Sequence, residues 1–256
     1  MRKRLLAIFA HRKHYLTDMK KTFALFVCAA VMMIAATEAY GQYAGYTGQE
    51  QDEGFPKWRV AVQGGFGYRL AKLTKTGNDV IDTHNKSLMM GYTYGADVTY
   101  FFGGYGIGAK YSDMHSQRSD AVTAEIDGEY YDGMYTDVVD IRFAGPMVYS
   151  RLIGASGNGV FLLGAGLGYL GYTDNARLIQ AATLKGGTLG TCIEIGYDYR
   201  IMNNIFIGAS LGAISGILTS YTMTSEGAAP QKVELDKDQY ESLLHANLSL
   251  GFRFYL

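Results

Sequence analysis

Residues Leu244–Leu256 alternate without a break. Every even position (Leu244, Ala246, Leu248, Leu250, Phe252, Phe254, Leu256) is apolar, while the odd positions are His245, Asn247, Ser249, Gly251, Arg253 and Tyr255. A period of two sustained over such a length predicts a strand, because successive side chains of an extended chain point to opposite faces. The stretch is roughly twice as long as a usual soluble strand. It is long enough to cross a bilayer at a tilt of roughly 45°.

The same period recurs upstream. Over 58–71, Trp58, Val60, Val62, Phe66, Tyr68 and Leu70 share one face, and Arg59, Ala61, Gln63, Gly65, Gly67 and Arg69 the other. Over 89–102, Tyr92, Tyr94, Ala96, Val98 and Tyr100 oppose Thr93, Gly95, Asp97 and Thr99. After Gly103-Gly104, a third strand sends Tyr105, Ile107, Ala109 and Tyr111 outward, with Gly106, Gly108, Lys110 and Ser112 inward. A fourth, reaching about Ile153, places Val139, Ile141 and Phe143 outward and Asp140 and Arg142 inward. Pro146 interrupts its ladder and leaves the parity beyond it open.

The fifth strand, 160–172, carries Phe161, Leu163, Ala165, Leu167 and Tyr169 opposite Gly164, Gly166 and Gly168. In the sixth, Leu189, Ile193, Ile195, Tyr197, Tyr199 and Ile201 face away from Thr188, Cys192, Glu194, Asp198 and Arg200. A seventh strand covers about 205–220. Polar stretches at 72–87, 114–136, 173–184 and 221–240 read as loops, whereas 103–104, 155–159 and 203–204 read as tight turns. Eight strands joined by alternating long and short connections predict an all-β, eight-stranded antiparallel up-and-down transmembrane β-barrel. Eight long apolar faces are too many for so narrow a lumen. The apolar faces must therefore meet lipid.

Composition agrees. The chain has 33 Gly, 21 Tyr and 12 Phe, and its longest apolar run is Phe23–Ala36, too short for a membrane helix. That run follows Met19-Lys20-Lys21 and precedes Ala39-Tyr40-Gly41, the layout of a cleaved signal peptide over 19–41. Residues 1–18 then read as a misassigned start or an extended n-region, 42–57 as a short polar leader and 58–256 as the barrel. Without residues 1–41 the chain holds 16 basic and 22 acidic side chains, a balance that does not suit nucleic acid. Cys192 alone remains, so neither a disulfide framework nor a thiol metal site is expected.

The candidate chemistry lies inside. Arg59, Asp97, Lys110, Asp140, Arg142, Glu194, Asp198, Arg200 and Arg253 are expected to meet in the lumen. Charges of both signs confined there must pair, since an isolated one carries a large desolvation penalty. A paired network plugs the barrel, whereas the alternative is a narrow channel for ions or small solutes, with the inward glycines leaving room for water. Trp58, Tyr100, Tyr149, Tyr172 and Tyr199 are candidates for interfacial girdles. His84 and His115 fall in expected loops, where solvation is anticipated. His245 is the one histidine placed on a strand, near a rim. Its i, i+2 neighbour is Asn247, not the serine that an acyl hydrolase needs, so a membrane acyl hydrolase or transferase is the weaker alternative. The acidic stretch holding Asp120, Glu125, Asp127, Glu129 and Asp132 matches no calcium-loop spacing. No cofactor, metal or catalytic residue is expected.

With its terminal Phe252-Arg253-Phe254-Tyr255-Leu256 and with Phe143-Ala144-Gly145-Pro146-Met147-Val148-Tyr149 in the fourth strand, the chain resembles the small OmpA/OmpX-type, porin-like outer-membrane β-barrel domains over about 58–256. The resemblance implies an integral protein of the outer membrane, surrounded by lipid and lipopolysaccharide. It also implies recognition of Phe252, Phe254 and Leu256 by the barrel-assembly machinery, a monomeric state and a non-enzymatic structural or surface-interaction role. Leu256 departs from the aromatic residue that usually ends such domains.

Overall fold

The structure, a computed structural model, describes residues 54–71, 79–126, 129–177, 181–237 and 239–256. The segment 19–41 expected to be a signal peptide, residues 1–18 before it and the leader up to residue 53 lie outside the described residues. In chain order the elements are β1 (Trp58–Arg69), α1 (Asp79–Ser87), β2 (Met90–Phe102), β3 (Tyr105–Ile126), β4 (Glu129–Ile153), β5 (Gly159–Arg177), β6 (Ala181–Met202), β7 (Ile205–Leu218), β8 (Ser220–Ser225), β9 (Gln231–Glu234), β10 (Glu241–Ser242) and β11 (His245–Tyr255). Eight of them form a closed antiparallel ring in the order β1-β2-β3-β4-β5-β6-β7-β11. Closure is made by β11 against β1, from Tyr255 opposite Arg59 to His245 opposite Arg69. It satisfies the backbone polar groups that hydrocarbon cannot.

One end of the ring has tight turns, where Gly103 (φ 73°) and Gly157 (φ 66°) take the left-handed conformation that a side chain would strain. The other end is not the set of loops that the polar stretches suggest. β3 and β4 pair continuously from Tyr105 opposite Ser150 to Ile126 opposite Glu129, so most of 114–136 is a long hairpin. Likewise β5 and β6 pair up to Arg177 opposite Ala181. The stretch 221–240 contains β8 and β9. β7 passes into β8 across a one-residue offset, since Gly190 pairs with Gly216 but Lys185 with Thr222. The stretch 72–87 contains α1, whose His84 and following Leu88 are both buried against the barrel mouth. Polarity misleads here because these strands rise beyond the apolar band, where their outer faces meet water.

That boundary also explains the reversed face of β4. Val139, Ile141 and Phe143 are buried inside, while Asp140 and Arg142 lie on the outer face. Nearer the short-turn end the same outward parity carries Ala144, Pro146 and Val148. Parity therefore does not change at Pro146: Ala109 pairs with Pro146 and Lys110 with Gly145 in unbroken register. What changes is the surroundings, from lipid around Val148 to solvent around Arg142. On β5 and β6 the outward side chains make the same transition after Tyr169 and Leu189, giving way to Thr173, Asn175, Thr183 and Lys185.

The outer face between the ends is apolar and exposed, with Val62, Phe66, Ile107, Leu167, Leu189, Leu211, Leu248, Leu250 and Phe252 among its members. No helix among the described residues is long and apolar enough to cross a membrane. Trp58 and Tyr199 are exposed on the outer face, in keeping with a girdle, but Tyr149 and Tyr172 point inward and are almost fully buried.

Candidate functional site

The lumen is filled in layers. At the short-turn end Phe101, Phe206 and Tyr255 are joined by Phe55 from the leader. Phe55 packs edge-on against Tyr255 with ring centroids 5.3 Å apart, and Phe206 lies 4.4 Å from Tyr255. Arg151 sits 4.4 Å over the Phe101 ring and donates to the Pro56 carbonyl at 2.7 Å. The leader, patternless as sequence, thus ends in an aromatic cork. Its signal is the lone Phe55 ahead of Pro56 in an otherwise polar stretch.

Above the cork lies the ion network. Asp198, fully buried, accepts hydrogen bonds from Arg59 Nε at 2.8 Å and the Tyr255 hydroxyl at 2.8 Å, and pairs with Arg253 Nε at 3.3 Å. Arg59 also pairs with Asp97. Arg253 donates to Gln63 Oε1 at 2.7 Å, and Gln63 accepts from Ser210 at 3.1 Å. Lys110 and Glu194 form a second buried pair. The topology explains these meetings: β1 lies between β11 and β2, so Arg59, Arg253 and Asp97 come from three adjacent staves, while Asp198 reaches across from β6.

Of the nine residues expected in this network, Arg59, Asp97, Lys110, Glu194, Asp198 and Arg253 are brought together. Among the described residues Arg200 forms no ion pair, and it lies over the Phe206 and Phe55 rings at 5.2 and 5.6 Å. Asp140 and Arg142 are outside: Arg142 Nε donates to Asp113 at 2.9 Å, and Arg142 Nη2 approaches Asp140 at 3.2 Å. Gln63, which carries no charge, and Arg151 are lumen members that the expected network leaves out. Arg151 lies beyond Pro146, where the sequence reading left the parity open, and it shares the inward parity that Ile141 and Phe143 take in the structure.

Toward the long-hairpin end the filling becomes apolar, with Met114, Ile141, Phe143, Leu170, Ile214, Leu218 and Leu243 in one buried cluster. The space beside two of the inward glycines is occupied by rings from neighbouring staves. A Cβ on Gly164 would run into the Tyr149 ring, and one on Gly106 into Phe101, so these positions are seats for aromatic rings. The cavity bordered by Gln63, Lys110, Glu194 and Asn247 encloses about 10 Å³, the space of one water.

At the mouth, Arg69 pairs with Glu241 at 2.8 Å, and His245, buried on β11, has Nδ1 2.9 Å from the Leu243 carbonyl. His84 is not solvated, and His115 is only partly exposed. His115, a second strand histidine, has Nδ1 2.6 Å from Asp140. His84 is fully buried, with Nδ1 2.9 Å from Asp120 Oδ2 and its ring 4.3 Å from that of Tyr135. Because the carboxylate accepts, the neutral imidazole carries its proton on Nδ1.

Burial pushes the His84 imidazole below its ordinary value of 6.5, outweighing the hydrogen bond to Asp120. The unfolded segment then binds the proton more tightly than the seated one. The stability lent by neutral His84 is present above about pH 6.5 and is lost as pH falls below it. Hydrogen exchange of the α1 amides, corrected for intrinsic rates, should show protection falling between about pH 7 and pH 5. Protection unchanged over that range would refute the account.

No family model matches the chain, and no curated protein matches it. Solved structures do. A major outer membrane protein from Thermus thermophilus superposes with a TM-score of 0.50 at 12% identity, covering 77% of this chain and 98% of that one. Neisserial surface protein A aligns with a TM-score of 0.47 and 11% identity, over 78% and 97% of the two chains. The N-terminal β-barrel domain of OprF from Pseudomonas aeruginosa gives 0.35 and 16%, over 77% and 97%. The fold is that of the small outer-membrane β-barrels, an eight-stranded transmembrane barrel of OmpA/OmpX type.

Proposed function

We propose that the protein is a non-enzymatic barrel of the outer membrane whose lumen is occluded, and that it serves a structural or surface-interaction role. The short turns at Gly103 and Gly157 face the periplasm in this reading, and the β3–β4 and β5–β6 hairpins project from the cell. Lipid and lipopolysaccharide surround the apolar band, and Phe252, Phe254 and Leu256 form the strand end presented to the assembly machinery. The observation that carries the reading is the continuous filling of the interior. The cork at Phe55, the ion network around Asp198 and the apolar cluster around Phe143 follow one another along the axis.

An ion crossing this interior would have to part Arg59 from Asp198 and Lys110 from Glu194, each of them desolvated. Purified protein in planar bilayers should therefore show no stable conductance steps at neutral pH. Reproducible unitary steps from the unmodified protein would favour the narrow-channel alternative instead.

A further inference from the structure

The lipid-facing wall is not evenly covered. An oblique groove starts at Trp58 and Tyr100 and climbs across β3, β4, β5 and β6 to β7, enclosing about 1140 Å³. Small outward side chains, Ala109, Pro146, Ala165 and Ala213, lower its floor between the larger Ile107, Val148, Leu167 and Ile193. Register explains why it is continuous. Ala109 stands opposite Pro146, and a single ladder row runs from Val148 through Ala165 and Ile193 to Ala213. A second groove of about 290 Å³ shares Val148, Ala165, Ile193 and Ala213 with the first and extends it to Ala246 on β11. Rows perpendicular to tilted strands slope across the bilayer. The groove therefore leads from the short-turn edge of the membrane into its interior.

We infer that this groove is a binding site for one phospholipid of the leaflet on the short-turn side, its phosphate at Lys57, Trp58 and Tyr100 and one acyl chain in the groove. The inference rests on the membrane-barrel reading above. Hydrocarbon offers no hydrophobic drive between apolar surfaces, so what holds a chain here is contact: an unfilled groove leaves its lining atoms without partners. Small side chains on the floor let the chain lie against the backbone, where large ones elsewhere on the wall would hold it off. At the lower end the chemistry changes to suit a headgroup. Trp58 and Tyr100 form an edge-on pair 5.0 Å apart, presenting an indole N–H and a phenol. Lys57, exposed next to them, adds a cation, and its carbonyl accepts from the Phe101 amide at 2.7 Å, which holds its backbone at the rim. A groove filled by exchanging lipid alone would need no cation at its entrance.

The test is native mass spectrometry of the full chain, extracted from outer membranes in mild detergent, alongside heat-dependent gel migration as a separate measure of the folded barrel. The unmodified protein should keep one phospholipid mass per barrel through detergent exchange. Ala165→Phe with Ala213→Phe fills the floor and should abolish that adduct while heat-dependent migration is kept. If the double variant fails to fold, Ala109→Leu alone should lower the retained fraction. Lys57→Ala, outside the barrel wall, should lower it several-fold. Detergent adducts only on the unmodified protein, or full retention by the filled or Lys57 variants, would overturn the site and leave the barrel reading intact. Loss of heat-dependent migration by the unmodified protein would overturn the barrel reading itself.

Discussion

Asp198→Ala is expected to cost about 3–5 kcal/mol of folding stability, because it strips a buried network of its central anion. Asp198 takes a hydrogen bond from Arg59, another from Tyr255 and an ion pair from Arg253, all at positions closed to water. Among the described residues, its removal leaves Arg253 with Gln63 as its close side-chain acceptor and Arg59 with Asp97 as its remaining carboxylate partner. The cost comes from cations left desolvated and poorly paired, not from the small loss of volume. Asp198→Ala combined with Arg253→Met should therefore recover a large part of it, since the second change removes the stranded charge and keeps the bulk. Urea titration of the barrel in lipid vesicles reads both numbers. Additive losses in the double variant, or a single loss below about 1 kcal/mol, would mean that water reaches the network and screens it.

Phe143→Ala is the second large effect, expected at about 3–5 kcal/mol. Phe143 is fully buried among Ile141, Leu170 and other members of the inner cluster, so truncating it leaves a cavity that rigid strands cannot close. Were the side chain on the outer face, as the alternation of β4 suggests when read in isolation, lipid would fill the gap and the change would cost little. The same measurement thus decides the parity of β4. Arg142→Leu is the natural control. Arg142 is half-exposed on the outer face, so its loss touches its pairs with Asp113 and Asp140 outside the barrel wall and leaves the interior packed.

Sequence alone determined the ring. Thirteen strictly alternating residues at Leu244–Leu256 could be nothing but a long strand, and the same period in the upstream stretches set the count of staves and the inward positions of Arg59, Asp97, Lys110, Glu194, Asp198 and Arg253. That success has a simple cause. Within the bilayer, backbone geometry fixes a period of two and lipid fixes which face is apolar, so each residue reports its own orientation.

The tertiary structure decided the rest, wherever one of those conditions fails. Beyond the membrane edge the outside is water, and the rule that sorts faces inverts: Val139, Ile141 and Phe143 turn in, Asp140 and Arg142 turn out, and polar hairpins that resemble loops remain paired strands. Neither the height at which β4 leaves the lipid nor the neighbours waiting inside it is written in its local pattern. The cork is another such case. Phe55 belongs to no alternating run, and it becomes part of the lumen because closure of β1 against β11 brings Tyr255 and Phe206 to the place where the leader enters. Long-range closure creates that pocket, and a reading confined to neighbouring residues has no term for it.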